Sequence, residues 1–300
     1  MAVEIVPAEI ERPSLSPGAD AWRRLRKKPV AILSGGFILL LIFVALTAQW
    51  IAPFPYDAPD VGRAMPLLHP GGKHLLGTDN LGLDVFTRLL YGARVSISVG
   101  VIVEFIEVII GVSIGLLAAY KGGIWDNIVM RVTDAMFAFP DILFAILLVG
   151  ILRPEGIMPS FLTVFVALAL VGWPGIARLV RGQALAIREK EYVEAARATG
   201  VSGWGIALRH ILPNMISPLI VAVTVDIAGI IMAEATLSFL GIGIQPPFPS
   251  WGHMINDGRQ FLRSEPYLIL FPSIALAATV LAFNFFGDAL RDALDPRLRD

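Results

Sequence analysis

Four carboxylates of this chain stand where a carboxylate is costly. Glu104 and Glu107 interrupt the apolar run VSISVGVIVEFIEVIIGVSIGLLAAY, and Asp226 and Glu234 interrupt another further along. An ionisable group inside hydrocarbon marks a solute path, a proton relay or a pairing partner. Glu104 and Glu107 are three residues apart and share one helical face. Two readings of that pair stay open: they line a path for a cationic or amine-bearing solute, or they pair with Arg residues of a partner subunit. Glu234 has a structural alternative, closing the outer end of its span.

Other chemistry is thinly supplied. His69, His74, His210 and His253 are scattered, with no H-E-x-x-H and no Cys to complete a zinc site, so they are expected on the surface or in loops. His69 and His74 are near enough to hold a transition metal in an outer segment, though with fewer ligands than nickel handling needs. No G-x-S-x-G appears, which leaves a membrane-embedded hydrolase without a nucleophile–base pair. LSGG at Leu33 to Gly36 has the letters of an ATPase signature but lies mid-span and runs into Phe37. GGKH is no P-loop, because Leu67 stands where the first Gly belongs and His74 where Ser or Thr does. No ATP, cofactor or metal site is expected on this chain, and energy must come from a partner.

The elements that position these residues are membrane helices. The 300 residues are 56% hydrophobic and 16% charged, with a mean hydropathy of +0.71, outside the balance of a soluble domain. The expected surroundings are a lipid bilayer, with no nucleic acid partner. About 20 apolar residues cross about 30 Å of hydrocarbon as a helix, and six such runs are expected to be helical because a bilayer leaves no other open structure with its backbone satisfied. They are Val30 to Ala52, Val95 to Tyr120, a third near Arg131 to Leu152, Pro159 to Val180, Met215 to Ile244 and Tyr267 to Gly287. The third has a clean core of only ILFAILLVGIL, and spans only by starting near Arg131 and tolerating Asp134 and the Pro140-Asp141 pair.

Lys and Arg set the orientation. With the N-terminus inside, the inner segments hold Arg12, Arg23, Arg24, Arg26, Lys27, Lys28, Lys121, Arg131, Arg178, Arg181, Arg188, Lys190, Arg197, Arg209, Arg291, Arg297 and Arg299, which is 17 of 24 basic residues. Only Arg63, Lys73, Arg88, Arg94, Arg153, Arg259 and Arg263 fall outside, so both termini are expected in the cytoplasm. The third span is needed for this: without it the cluster from Arg178 to Arg209 faces outward. WRRLRKK precedes the first run, which is too long for a signal peptide and lacks a cleavage site, so it reads as an uncleaved anchor.

The expected organisation is a cytoplasmic tail over residues 1–29, disordered to about residue 20, then an anchor helix over 30–52 and a Pro- and Gly-rich extracytoplasmic segment over 53–94. A five-helix core follows over 95–290 with a cytoplasmic loop at 181–214, and then a cytoplasmic tail over 291–300. The outer segment GIGIQPPFPSWGHMINDGRQFLRSEP reads as a compact loop at the membrane edge. Gly111 and Gly115, with Ser96 and Ser98 a few turns earlier, form a small-residue face for close helix approach. Six spans without an internal repeat suggest that a pore needs a second subunit.

The cytoplasmic loop contains EYVEAARATGVSGWGIALRHILPN, charged and glycine-broken between two apolar spans. Arg188, Glu191, Glu194 and Arg197 recur every three residues as a ridge beside Ala195, Ala196, Ala198 and Thr199. Gly200 supplies the left-handed stop, Ser202 can cap a second helix and Pro213 limits the hairpin.

Glu194, Ala195, Ala196, Gly200, Leu212 and Pro213 occupy the positions of the E-A-A…G…L-P pattern. In this the hairpin resembles the EAA loop of the membrane subunits of bacterial ATP-binding-cassette importers. His210 stands where the general pattern has Ile, a form familiar from the peptide-transport branch. HLLGTDNLGLDVFTRLLYGARVSISVG is similar to that branch's LGTD-x-x-G-R-D segment, with Leu83 replacing Arg. AEATLSFLGIGIQPPFPSWGHM, KGGIWDNIVMRVTDAMFAFP and DALDPRLR also fit. The resemblance implies a C-type permease of a dipeptide, oligopeptide or nickel importer, with a type I importer fold in the cytoplasmic (inner) membrane of a bacterium. It further implies pairing with a homologous permease into a heterodimeric pore, two ATPase subunits or domains carrying ATP and Mg, and a substrate-binding protein outside. The hairpin, through Glu191, Glu194, Ala195, Ala196, Arg197, Gly200, Leu212 and Pro213, would then be the coupling element. The rival of another class is an ion-gradient-driven transporter relaying charge through Glu104, Glu107 and Asp226.

Overall fold

The computed structural model describes residues 17–59, 67–152 and 157–295. Most of the expected terminal tails, together with Arg12, Arg63, Arg153, Arg297 and Arg299, lies outside the described residues. Among the described residues the chain is helical, with two isolated β-bridges in the outer segment.

The expected disordered stretch is partly a helix: α1 (Pro17–Leu25) seats Leu25 in a cluster with Ala31, Ala289 and Ala293. Lys28 Nζ then meets Asp292 Oδ2 at 2.6 Å, tying the start of the anchor to the end of the last span. The anchor α2 (Pro29–Ile51) falls within a residue of its expected bounds. Gly35, from the LSGG letters, gives the Phe286 ring its seat on this helix.

Helix α3 (Val85–Lys121) begins ten residues before the expected span. Its 37 residues extend about 55 Å at about 1.5 Å per residue, well beyond the hydrocarbon. The additional length is nucleated by Asp84, whose Oδ2 accepts from Thr87 N at 2.7 Å as an N-cap.

The third span is the main departure. Instead of one helix through Asp134 and Pro140, the chain forms α4 (Gly123–Phe137) and α5 (Asp141–Leu152), bent by 91°. Pro140 lacks the N–H that would bond back into α4 and pushes Phe139 out of helical conformation, so the break falls there. The polar face of α4 engages α6 (Ile157–Arg188) through a forked pair of Arg181 with Asp126 and a 2.7 Å contact of Arg178 Nη2 with Asp134.

Five helices are long and apolar enough to cross a membrane, and a sixth crossing exists when the bent pair counts as one. Packing requires that sixth crossing. Glu107 lies against Gly172, Gly111 against Ile176, and Gly115 against Ala177 and Val180, so α3 and α6 run parallel. A chain that leaves α3 on one side must recross before entering a parallel α6. A Cβ on Gly111 or Gly115 would meet the facing helix at 2.6 Å, so the glycines set the approach. Ser96 does not join this seam; its hydroxyl faces α9.

Helix α6 continues eight residues past the expected end at Val180, into the hairpin. There α7 (Glu191–Ala198) and α8 (Gly203–Ile206) are followed by a π-helical turn, Ala207–Ile211, that runs into α9 (Leu212–Phe239). At the opposite end α10 (Trp251–Gly258) packs against the start of α3, and α11 (Tyr267–Leu294) runs back from there, ending seven residues beyond Gly287.

Candidate functional site

The hairpin is built on one anchor. Val193 is fully buried among Leu116 of α3, Ile187 of α6, Ile206 and Ile211 ahead of α9, and Met215 in the first turn of α9. Around it α7 ends in a Schellman motif: Val201 N bonds to Ala196 O at 3.2 Å and Gly200 N to Arg197 O at 3.1 Å, with Gly200 at φ +83°. Ser202 Oγ accepts from Gly205 N at 3.2 Å to start α8.

The expected ridge is shorter than its spacing suggests. The chain turns at Glu189 and Lys190, and Arg188 reaches back to Ala119 O at 3.3 Å, leaving Glu191, Glu194 and Arg197 as the charged face of α7. These three, with Ala195, Gly200 and Pro213, are exposed, while Ala196 and Leu212 are half-buried. A Cβ on Gly200 meets nothing within 4 Å. The hairpin also carries features that the sequence pattern did not single out. Tyr192, Trp204 and Leu208 are exposed apolar side chains, and Gly203 is closed off by the Tyr120 ring, which packs on Trp204 at 5.4 Å. Apolar side chains left in water beside charges are the composition of a docking surface.

In the membrane, one carboxylate oxygen from each of Glu104, Glu107 and Asp226 comes within 4.8 Å of the others. Glu104 and Glu107 are each only 2% exposed, and Asp226 is the most open of the three. Asp226 belongs to the least buried of the candidate spans, at 22%, and its neighbour Val225 is exposed. A carboxylate there does not face lipid, so this side of α9 borders a polar path or another subunit. Glu234 is not part of the cluster: it is fully buried, taking a hydrogen bond from Ser238 Oγ at 2.7 Å with Ser96 Oγ at 3.4 Å.

The outer segment is a tightly paired cap. Asp79 Oδ1 accepts from Leu81 N and Leu83 N at 2.9 Å each, and its Oδ2 from Arg88. Asp84 Oδ1 holds His74 Nδ1 at 2.8 Å, and Tyr267 Oη lies 3.2 Å from the carbonyls of Leu68 and Thr78. Trp251 Nε1 donates to Leu89 O at 3.1 Å. His74 is therefore a buried residue of the outer loop segment, whereas His69 is exposed beside Glu265, so the two do not form a metal pair.

Comparison with known proteins places this arrangement. The family described as binding-protein-dependent transport system inner membrane component matches residues 111–300. The N-terminal transmembrane domain of oligopeptide transport permease C matches residues 16–70. The chain is 42% identical over 290 residues to the glutathione transport system permease protein GsiD of Pectobacterium atrosepticum, covering 95% of this chain and 92% of that protein. It is 43% identical over 290 residues to the protein of that name from Escherichia coli, with the same coverage. Among solved structures, an inward-facing form of the MetNI methionine ABC transporter has a TM-score of 0.57 at 21% identity, covering 70% of this chain and 97% of that one, and shares the fold. The descriptions of these families and relatives favour an ABC permease over the ion-gradient rival. The chain belongs to the binding-protein-dependent transport family and is a multi-pass, inner-membrane permease subunit of an ABC importer.

Proposed function

We propose that this permease carries peptides, of dipeptide to oligopeptide size, and that its cytoplasmic hairpin is where ATPase closure is converted into movement of the spans. The family matches and the glutathione permeases, whose named solute is a tripeptide thiol, support the peptide class over nickel or another small solute. The observation that carries the coupling role is the hairpin's construction. A single buried side chain, Val193, fixes α7 to the membrane core while Glu191, Glu194, Ala195 and Arg197 face outward, the three charged ones without an ion pair among the described residues.

In this reading both termini are cytoplasmic, since the basic hairpin then lies inside. A homologous permease completes a heterodimeric pore, two ATPase subunits or domains bring ATP and Mg, and a substrate-binding protein delivers solute to the outer cap. ATP binding draws the ATPases together, the hairpins follow and the path opens outward; hydrolysis resets it. Glu104, Glu107 and Asp226 border the path, and Glu234 stiffens the outer end of α9 through its serine partners.

Affinity purification through a C-terminal tag in mild detergent, followed by an assay of ATP hydrolysis and peptide uptake after reconstitution, tests this. A second permease and an ATPase are expected to come along. A chain that purifies alone under conditions that preserve such assemblies, or whose uptake collapses with the ion gradient while ATP is intact, contradicts it.

A further inference from the structure

The cluster of Glu104, Glu107 and Asp226 carries an inference that rests on the peptide reading. Three carboxylates at this separation within a membrane attract positive charge or protons, and among the described residues no basic side chain is paired with them. The nearest basic residues of α6, Arg178 and Arg181, are committed to Asp134 and Asp126. Both oxygens of Glu104 are shut off from solvent and lack a hydrogen-bond partner. A buried acceptor left open in this way is costly unless something arrives to fill it. Glu107 is held in place from behind, because Gly172 leaves room for its carboxylate where any side chain would collide with it. Asp226, on the open side of α9, is the route of access.

We infer that these three carboxylates form a transient binding site for the ammonium group of the transported solute, partway across the membrane. An ammonium has three donors. When each reaches one oxygen at about 2.8 Å, those oxygens stand about 4.6 Å apart, a separation that fits within the 4.8 Å limit of this cluster. A small divalent ion with ligands at about 2.1 Å would draw neighbouring oxygens to about 3 Å. A peptide amino terminus is the ammonium that every unblocked peptide carries, whatever its side chains, so a site of this kind suits a permease that does not read sequence.

The test uses the reconstituted complex with its binding protein and two probes, trialanine and N-acetyl-trialanine, compared in the wild type and in Glu104→Gln and Asp226→Asn. Both substitutions keep volume and remove charge. The ratio of trialanine to N-acetyl-trialanine uptake is expected to fall at least fivefold in each variant, with the second permease and the ATPase still co-purifying. An unchanged ratio overturns the inference while leaving the peptide reading intact. Variants that no longer co-purify the second permease overturn it in favour of an ion pair between subunits. A divalent ion bound stoichiometrically to the purified wild type and lost from the variants overturns it in favour of a metal site. A wild-type complex that takes up neither peptide removes the peptide reading and this inference with it.

Discussion

The two ends of this molecule use charged residues in opposite ways. In the outer cap His74, Asp79, Asp84 and Arg88 are buried and turned on one another, so these charges are paired within one chain. In the hairpin at the other end Glu191, Glu194 and Arg197 point into solvent beside exposed Tyr192 and Leu208, and one buried valine holds the element down. Charges spent internally build a shape, whereas charges left outward beside apolar side chains await a partner. Substitutions at the two ends should therefore separate into losses of stability and losses of coupling.

The largest expected effect is on the outer side. Asp84→Ala removes the N-cap of α3 and the carboxylate that meets buried His74. Together these cost about 3 kcal/mol, read as a lowered denaturation midpoint in detergent, while ATP use per transported solute in the surviving protein stays normal. A stable Asp84→Ala protein that is uncoupled would reverse the comparison.

Gly200→Trp should act the other way. Its side chain projects into open space, so the spans stay inserted and uptake driven by ATP falls at least tenfold. Gly200→Asn is the control: asparagine tolerates the left-handed backbone, and it should retain most of the uptake. An equal loss in Gly200→Ala, which strains the left-handed backbone without adding bulk, would assign the effect to backbone strain and not to docking.

Smaller differences sharpen the contrast. Tyr267→Phe withdraws a hydroxyl shared by the carbonyls of Leu68 and Thr78, and about 1 kcal/mol of stability should go with it. The combined Glu191→Ala and Glu194→Ala variant should lie within about 0.5 kcal/mol of the wild type in stability but bind ATPase more weakly, with a reduced salt dependence. A large stability loss there would mean that α7 is held by its charges and not by Val193.

Most of the spans and the helical hairpin were legible because each rests on local information: a long apolar run, a glycine stop, a serine cap, a short motif. The features that escaped depend on residues far apart in the chain. The break at Pro140 is stabilised by Arg178 and Arg181 meeting Asp134 and Asp126, 44 and 55 residues away, and hydropathy alone reads through it. The burial of His74 escaped because only the folded cap brings Asp84 to it. The outward extension of α3 escaped because a span is measured by hydrocarbon thickness, although Asp84 ahead of VFTRLL was a visible cap. The acids were found from sequence one by one, but the separation of Glu234 from the other three follows from Ser96 and Ser238, which a linear reading does not place beside it.

The measurement that bears most directly on the account is site-specific cross-linking in the intact importer. The chain has no Cys, so Ala195→Cys and, in the outer segment, Leu75→Cys each provide a single thiol at an exposed position. A short bifunctional reagent should join the Ala195→Cys chain to the ATPase subunit, with a yield that changes when ATP is added, and leave the Leu75→Cys chain unlinked to it. An ATPase that is captured from neither position, or from the outer position alone, would contradict the assignment of the hairpin as the coupling element.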